Sequence, residues 1–161
     1  MPDSETFKIK PINDLINSHI TDGLWVDPFS FNSVFGDRCI TNDLNPLADT
    51  DHHLEAIDFL SLFGESSVDG ALFDPPYSPR QISECYKKIG REVHAQDTQS
   101  GFYGDRKKAL SRVIRKGGKV LSFGWNSGGI GKSNGFQIVE ILMVPHGGSH
   151  YDTICTVEIK V

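Results

Sequence analysis

Three carboxylates stand where short apolar runs stop: Asp27 after GLWV, Asp43 after RCITN and Asp74 after GALF. Each is followed by proline, immediately for Asp27 and Asp74 and three residues on for Asp43. Proline lacks a backbone donor and fixes φ, so each run must end there, and the Pro75-Pro76 pair stiffens the chain behind Asp74. In open α/β sheets, ligands bind outside the carboxyl ends of the strands. Three acids in succession at such ends therefore point to a ligand site. An acid after the second strand commonly accepts hydrogen bonds from ribose hydroxyls, which makes Asp43 a candidate for holding a nucleoside. A simple Asx-turn into Asn45-Pro46 would use the same side chain.

The elements that must position these acids alternate along the chain. Ile12, Leu15, Ile16 and Ile20 have helical spacing, as do Leu54, Ile57, Phe59, Leu60 and Phe63 in DHHLEAIDFLSLF. GLWVDPF, RCITNDLNP and VDGALFDPPY read as three buried strands ending on the acids. SPRQISECYKKIG predicts a helix from a Ser-Pro cap to Gly90, and DRKKALSRVIRKGG a second one closed by Gly117-Gly118. REVHAQDTQSGFYG between them reads as a polar loop. KVLSFGW is a further buried strand, NSGGIGKSNG a glycine-rich loop, and FQIVEILMV and DTICTVEIKV two long strands around the hairpin signal PHGGSHY. This order argues for a parallel α/β sheet with an antiparallel hairpin at its end.

The 161 residues fit a single domain spanning 1–161, with 38% hydrophobic and 23% charged residues, the composition of a soluble globular protein. No apolar run reaches the length of about 18 residues that a membrane span needs. The N-terminus MPDSETFKIK lacks a signal-peptide core, so the expected location is cytoplasmic. Cys39, Cys85 and Cys155 are odd in number and form no CxxC pair, which reads as free thiols, with no metal site expected. The net charge of −5 conceals an asymmetry: residues 80–132 hold twelve of the sixteen Lys and Arg against four acids. A solvated helix face or a focused footprint for phosphates would each account for it.

The motifs taken together resemble a known family. DPPY at 74–77 matches the catalytic motif of the S-adenosylmethionine-dependent amino-methyltransferases that modify adenine or cytosine in DNA. KPINDLI is similar to that family's N-terminal helix motif, VDPF to its first-strand cofactor motif and NDLNP to its second-strand acidic motif. LEAIDFL resembles the adenine-contacting segment and GGKVLSFGW the strand after the catalytic helix, in the same order through residues 8–125. The resemblance implies a Rossmann-like α/β methyltransferase fold, with a mostly parallel seven-stranded sheet and an antiparallel C-terminal hairpin.

It also implies a chemistry. The target is a planar exocyclic amine whose lone pair is delocalised into its ring. If Asp74 and the Pro75 carbonyl accept the two amine hydrogens, the nitrogen pyramidalises and becomes nucleophilic, so positioning and polarisation supply most of the acceleration. Pro75 and Pro76 hold that carbonyl still, and Tyr77 offers a face for a base extruded from its stack. By the same resemblance S-adenosylmethionine is the cofactor, with Asp27, Pro28, Phe29, Asp43, Leu44, Glu55 and Ala56 as its candidate contacts. Ser78, Arg80, Gln81, Trp125 and Asn126 are the candidate substrate contacts. Cytosine carbon-5 methylation needs a cysteine nucleophile, usually in a Pro-Cys pair at this strand end, and Pro75-Pro76-Tyr77 has none.

Two departures from the family pattern matter. The cofactor loop reads DPFSFNS, with Phe31 and Ser33 where the pattern has glycines. The methionine end of the cofactor would then be held by other groups, with Lys10 a candidate for its carboxylate and the amides of residues 29–32 lining the site. The chain also lacks a separate target-recognition segment. The remaining candidates for that role are loops 91–104 and 126–135 and the basic helices carrying Lys87, Lys88, Arg91, Arg106, Lys107, Lys108, Arg112 and Arg115. A homodimer or a separate recognition subunit would extend the surface. The expected substrate is DNA, adenine before cytosine. The alternatives are RNA, a protein glutamine amide, and a non-catalytic nucleic-acid-binding module of the same fold. NSGGIGKS approaches a phosphate-binding loop but has Asn126 at the first glycine position and leads into a strand. His146, His150 and Asp152 lie close in sequence but read as polar turn residues.

Overall fold

A computed structural model describes residues 5–92, 94, 101–148 and 151–161. Six strands form one sheet in the order β2-β1-β3-β4-β6-β5. They are β1 (Trp25–Asp27), β2 (Ile40–Thr41), β3 (Val68–Phe73), β4 (Ile114–Gly124), β5 (Phe136–Val144) and β6 (Thr153–Lys160). β2, β1, β3 and β4 run parallel, and β6 and β5 antiparallel. Four α-helices accompany them: α1 (Lys10–His19), α2 (Ala56–Ser61), α3 (Pro79–Lys88) and α4 (Gly101–Val113).

The sheet separates two apolar layers. On one face α1 buries Ile12, Leu15 and Ile16 against Trp25, Leu72, Leu121, Phe123 and Val157. On the other, Phe59 and Leu60 of α2 and Leu110 and Val113 of α4 pack on Val26, Ala71, Phe73 and Val120. Leu72 with Ala71, and Leu121 with Val120, alternate between the faces as strand geometry requires. Gly70 is fixed by this packing, because a Cβ there would come within 2.5 Å of the Trp25 ring.

The structure departs from the sequence reading in several places, one of them α4, which starts at Gly101 within the stretch expected as a polar loop. Six strands form among the described residues where the resemblance implies seven, and the segment after β2 adds only an isolated bridge between Asn42 and His52. Side chains capture the backbone there: Asp51 Oδ2 accepts from both the N–H and the hydroxyl of Thr41, and Asn42 Oδ1 accepts the Leu54 N–H. The same bonds delay the helix expected from 51, which starts only at Ala56. Finally, the helix expected through Gly118 ends at Val113, and Ile114 already pairs with Val68 of β3. Tertiary pairing overrides the local helical pattern there.

The glycine-rich loop after β4 is held from below. Glu158 of β6 is fully buried, and its carboxylate accepts the Ile130 N–H at 2.6 Å and the Gly131 N–H at 2.9 Å. Gly129, at φ +49°, leaves room for that carboxylate; a Cβ would meet it at 2.3 Å. These amides already hold an anion of the chain itself, so they are not available to cradle a phosphate. Replacing Glu158 with Gln should cost about 1.5–3 kcal/mol, because one amide loses its charged acceptor. Chemical denaturation measures this directly, and a loss below about 0.5 kcal/mol would contradict the pinning role.

Candidate active site

The carboxyl ends of β1, β2 and β3 open onto a cavity of about 250 Å³. Its wall is mostly apolar, with Phe7, Phe29, Phe31, Leu44, Ile82 and Phe102 among the lining residues. The ionisable wall groups are unbalanced: Asp43, Glu55 and Asp74 face Lys88 as the one basic lining residue among those described. Asp27 lies behind the wall, 1% exposed.

Each strand-end acid has its own environment. Asp27 Oδ1 accepts the Phe29 N–H at 3.2 Å, while Oδ2 is buried without a partner among the described residues. Burial holds its carboxyl well above the usual carboxylate range, and the nearby charges of Asp74 and Asp43 push the same way. Asp43 accepts the Asn45 N–H at 2.8 Å and the Phe31 N–H at 3.2 Å, and its pKa is also raised, chiefly by burial. An ionised carboxylate has roughly four acceptor positions, so both oxygens keep capacity for a ligand. Asp74 is 5% exposed and accepts the Tyr77 hydroxyl on Oδ1 at 2.6 Å.

The turn DPPY is braced from three directions. Ser78 caps α3, its side chain accepting the Gln81 N–H, with Pro79 in the first turn. Gln81 is buried, and its Oε1 accepts the Tyr77 N–H at 2.6 Å. Tyr103 donates its hydroxyl to the Pro76 carbonyl, and burial raises its pKa to about 12. The Pro75 carbonyl accepts no hydrogen bond among the described residues.

The loop 28–33 explains how the chain manages without the expected glycines. Phe31 has φ +38°, in the left-handed region that glycine ordinarily occupies. That conformation costs a residue with a side chain about 1–2 kcal/mol. Here it aims the Phe31 amide at Asp43 and places the ring in the cavity wall. Strain of this kind tends to persist where surrounding contacts over-determine it.

Most of the expected site residues converge, and several do not. Pro28, Phe29, Asp43, Leu44, Glu55, Ala56, Asp74 and Pro76 line the cavity. Lys10 does not: it lies at the start of α1, with its ammonium on Asp14 at 2.6 Å and a side chain 84% exposed. The Glu55 carboxylate is already engaged, by Tyr86 and Arg106 at 3.0 Å each and by Arg91. Gln81 braces the turn from inside, so its side chain is not a base-edge contact. Arg80 is exposed and paired with Glu84 at 2.9 Å. Trp125 meets the edge of Tyr77, and Asn126 closes a turn by accepting the Gly128 N–H.

The arginines of the basic segment are largely structural, whereas Lys87, Lys88 and Lys108 are exposed. Arg106 is buried over the Phe102 ring, Arg112 caps the Leu60 and Phe63 carbonyls at the end of α2, and Arg115 bonds Asp69 at 2.5 Å. His146 bonds Thr153, and His150 and most of 93–100 lie outside the described residues. Sequence reasoning missed Tyr86, Phe102 and Tyr103. The stripe Ile82, Tyr86, Ile89 in an otherwise polar helix was the available signal for the first.

Comparison with known proteins follows from this geometry. No family model matches the sequence, and no curated protein matches it. Solved structures do match in fold. The 1,6-didemethyltoxoflavin-N1-methyltransferase of Burkholderia thailandensis, solved with 1,6-didemethyltoxoflavin and S-adenosylhomocysteine, aligns with a TM-score of 0.63 at 14% identity. The alignment covers 94% of this chain and 77% of that one. TrmN from Thermus thermophilus aligns at 0.61 with 16% identity over 98% of this chain, and SMU.776 complexed with S-adenosylhomocysteine at 0.59 with 11% over 91%. The chain spans about half the length of those two, 53% and 48%. At such identities the likeness establishes the fold: a Rossmann-like α/β fold shared with methyltransferases.

The buried Asp27 yields a signed pH effect. Its folded pKa is raised, so over that interval the native state binds more protons than the unfolded one and stability falls as pH rises. Asp27→Asn removes this titration. The stability difference, variant minus wild type, should therefore grow in the variant's favour between about pH 4 and about pH 8. Denaturant midpoints across that range check it, and a difference independent of pH would contradict the assignment.

Proposed function

We propose that this chain transfers a methyl group from S-adenosylmethionine to the exocyclic amino group of a base in nucleic acid, adenine in DNA before cytosine. The observation that carries the reading is the arrangement at the end of β3. Asp74 lines the cavity, and the Pro75 carbonyl, which accepts no hydrogen bond among the described residues, and Tyr77, bonded to Asp74, belong to the same turn.

The wall fits the cofactor's chemistry. An apolar and aromatic lining suits an adenine ring. Asp43 is placed for the ribose hydroxyls. With Glu55 already paired to Arg106 and Arg91, Asp43 and Asp74 face Lys88 across the cavity, a balance that suits a ligand with positive centres such as the cofactor's sulfonium and ammonium groups. When bound, S-adenosylmethionine supplies a methyl group activated by its sulfonium.

The chain's own residues would act on the amine. Asp74 and the Pro75 carbonyl accept its two hydrogens, which frees the lone pair from the ring. The Tyr77 hydroxyl fixes the Asp74 rotamer, and the Gln81 and Tyr103 bonds keep the turn from relaxing. This preorganisation lowers the barrier without a strong base. RNA presents the same amine, so it stands beside DNA as the polymer. A second copy or a separate subunit supplying sequence recognition belongs to the same proposal.

Nucleoside mass spectrometry of DNA and RNA from cells expressing the protein tests the reading. Wild type should introduce a methylated amino base, and Asp74→Asn should lower it by at least about a hundred-fold. Unchanged nucleosides in both polymers would contradict the proposal.

A further inference from the structure

We infer that Tyr77, Trp125 and Tyr151 form an outward-running aromatic ladder that holds consecutive unpaired bases of a single-stranded nucleic acid, the innermost of them at Asp74. The inference rests on the proposed amine methylation for what happens at Asp74, but Trp125 and Tyr151 carry it further out.

Three observations support it. The rings are continuous: Tyr77 and Trp125 have centroids 5.5 Å apart at 73°, and Trp125 and Tyr151 4.8 Å apart at 43°. Neither contact is a parallel stack, so the rings form a stepped surface rather than one closed pile, with Trp125 and Tyr151 exposed on it. Second, exposure rises outward, with Trp125 37% and Tyr151 74% accessible, unusual for large aromatics without a partner to cover them. Third, the sheet places them deliberately in one spot. Trp125 follows the last residue of β4 and Tyr151 shortly precedes β6, and Gly124 pairs with Ile154 across those antiparallel strands. Both rings therefore stand at the carboxyl end of β4, beside the Asp74 turn at the end of β3.

The occupant follows from chemistry. Exposed aromatic rings in series bind stacked heterocycles, each base–ring contact contributing a separable share of affinity whatever the base. Phosphates meet charge as well, from Lys87, Lys88 and Lys108, which are exposed on α3 and α4, but Arg91, Arg106, Arg112 and Arg115 are engaged internally and the net charge is −5, which leaves the rings a large share of the holding. A single strand offers neighbouring bases with free faces; a duplex conceals them. A free heterocycle could occupy one ring, but only a strand uses the outer one as well.

Intrinsic fluorescence tests this, since Trp25 is buried and Trp125 is the exposed tryptophan. The probes are a single-stranded oligodeoxynucleotide about 12 nucleotides long, its duplex, and free adenosine, all without cofactor. The expected result is saturable quenching by the strand, abolished in Trp125→Phe, with duplex and adenosine at least about ten-fold weaker. Tyr151→Ala, at an exposed position that folding does not need, should weaken the strand about ten-fold, and Tyr151→Phe should restore it. Equal affinity for duplex, strand and adenosine, or a strand affinity indifferent to Tyr151→Ala, would overturn the ladder. Strand binding with these dependences but no methylated product would leave the ladder standing and sink the methyl-transfer reading instead.

Discussion

The register of β1 against its two neighbours governs the site. Asp27 pairs with Thr41 of β2, and Val26 with Ala71 of β3, so all three strands deliver their last residues to the same end of the sheet. Proline then enforces the stop after β1 and β3, while side-chain bonds of Asn42 and Asp51 end β2 ahead of Pro46. One consequence is an acid cluster in a largely apolar surround. Desolvation raises both Asp27 and Asp43, the charges of Asp74 and Asp43 raise Asp27 further, and the backbone amides of Phe29, Phe31 and Asn45 offset part of the cost by pointing at the carboxylate oxygens. A site built this way is poised for a cationic ligand.

Rigidity around the DPPY turn comes from residues distant in sequence. Tyr103 of α4 holds the Pro76 carbonyl, and Arg106 one turn later ties α4 to Glu55 ahead of α2. Arg112 in turn caps the end of α2. Thus α4 fastens both the DPPY turn and the far wall of the cavity, which explains why its arginines face inward rather than toward a phosphate backbone. Glu158 does the corresponding work under the glycine-rich loop that carries Asn126.

Much of this was legible in the chain. The strand-end acids, the Ser-Pro start of α3 and the closing hairpin follow from proline chemistry, capping and period-two alternation, all of which are local. What escaped was non-local. The late start of α2 depends on Asp51 and Asn42 bonding across the loop. The early end of α4 depends on Ile114 finding Val68. Lys10 looked suited to a carboxylate by its position in a motif, yet an i to i+4 partner, Asp14, holds it on the surface. Phe31 is the most instructive case. The missing glycines suggested a changed loop, whereas the backbone keeps a left-handed residue there and adds a ring to the wall.

The central claim is that the cavity beside Asp74 is a site for a sulfonium nucleoside. Calorimetric titration with S-adenosylhomocysteine tests it without requiring turnover or knowledge of the substrate. One site per chain is expected, with affinity lost in Asp43→Ala, which removes the ribose acceptor, and largely kept in Asp74→Asn, which keeps the cavity wall. No heat of binding at millimolar ligand, or binding indifferent to Asp43→Ala, would contradict the account.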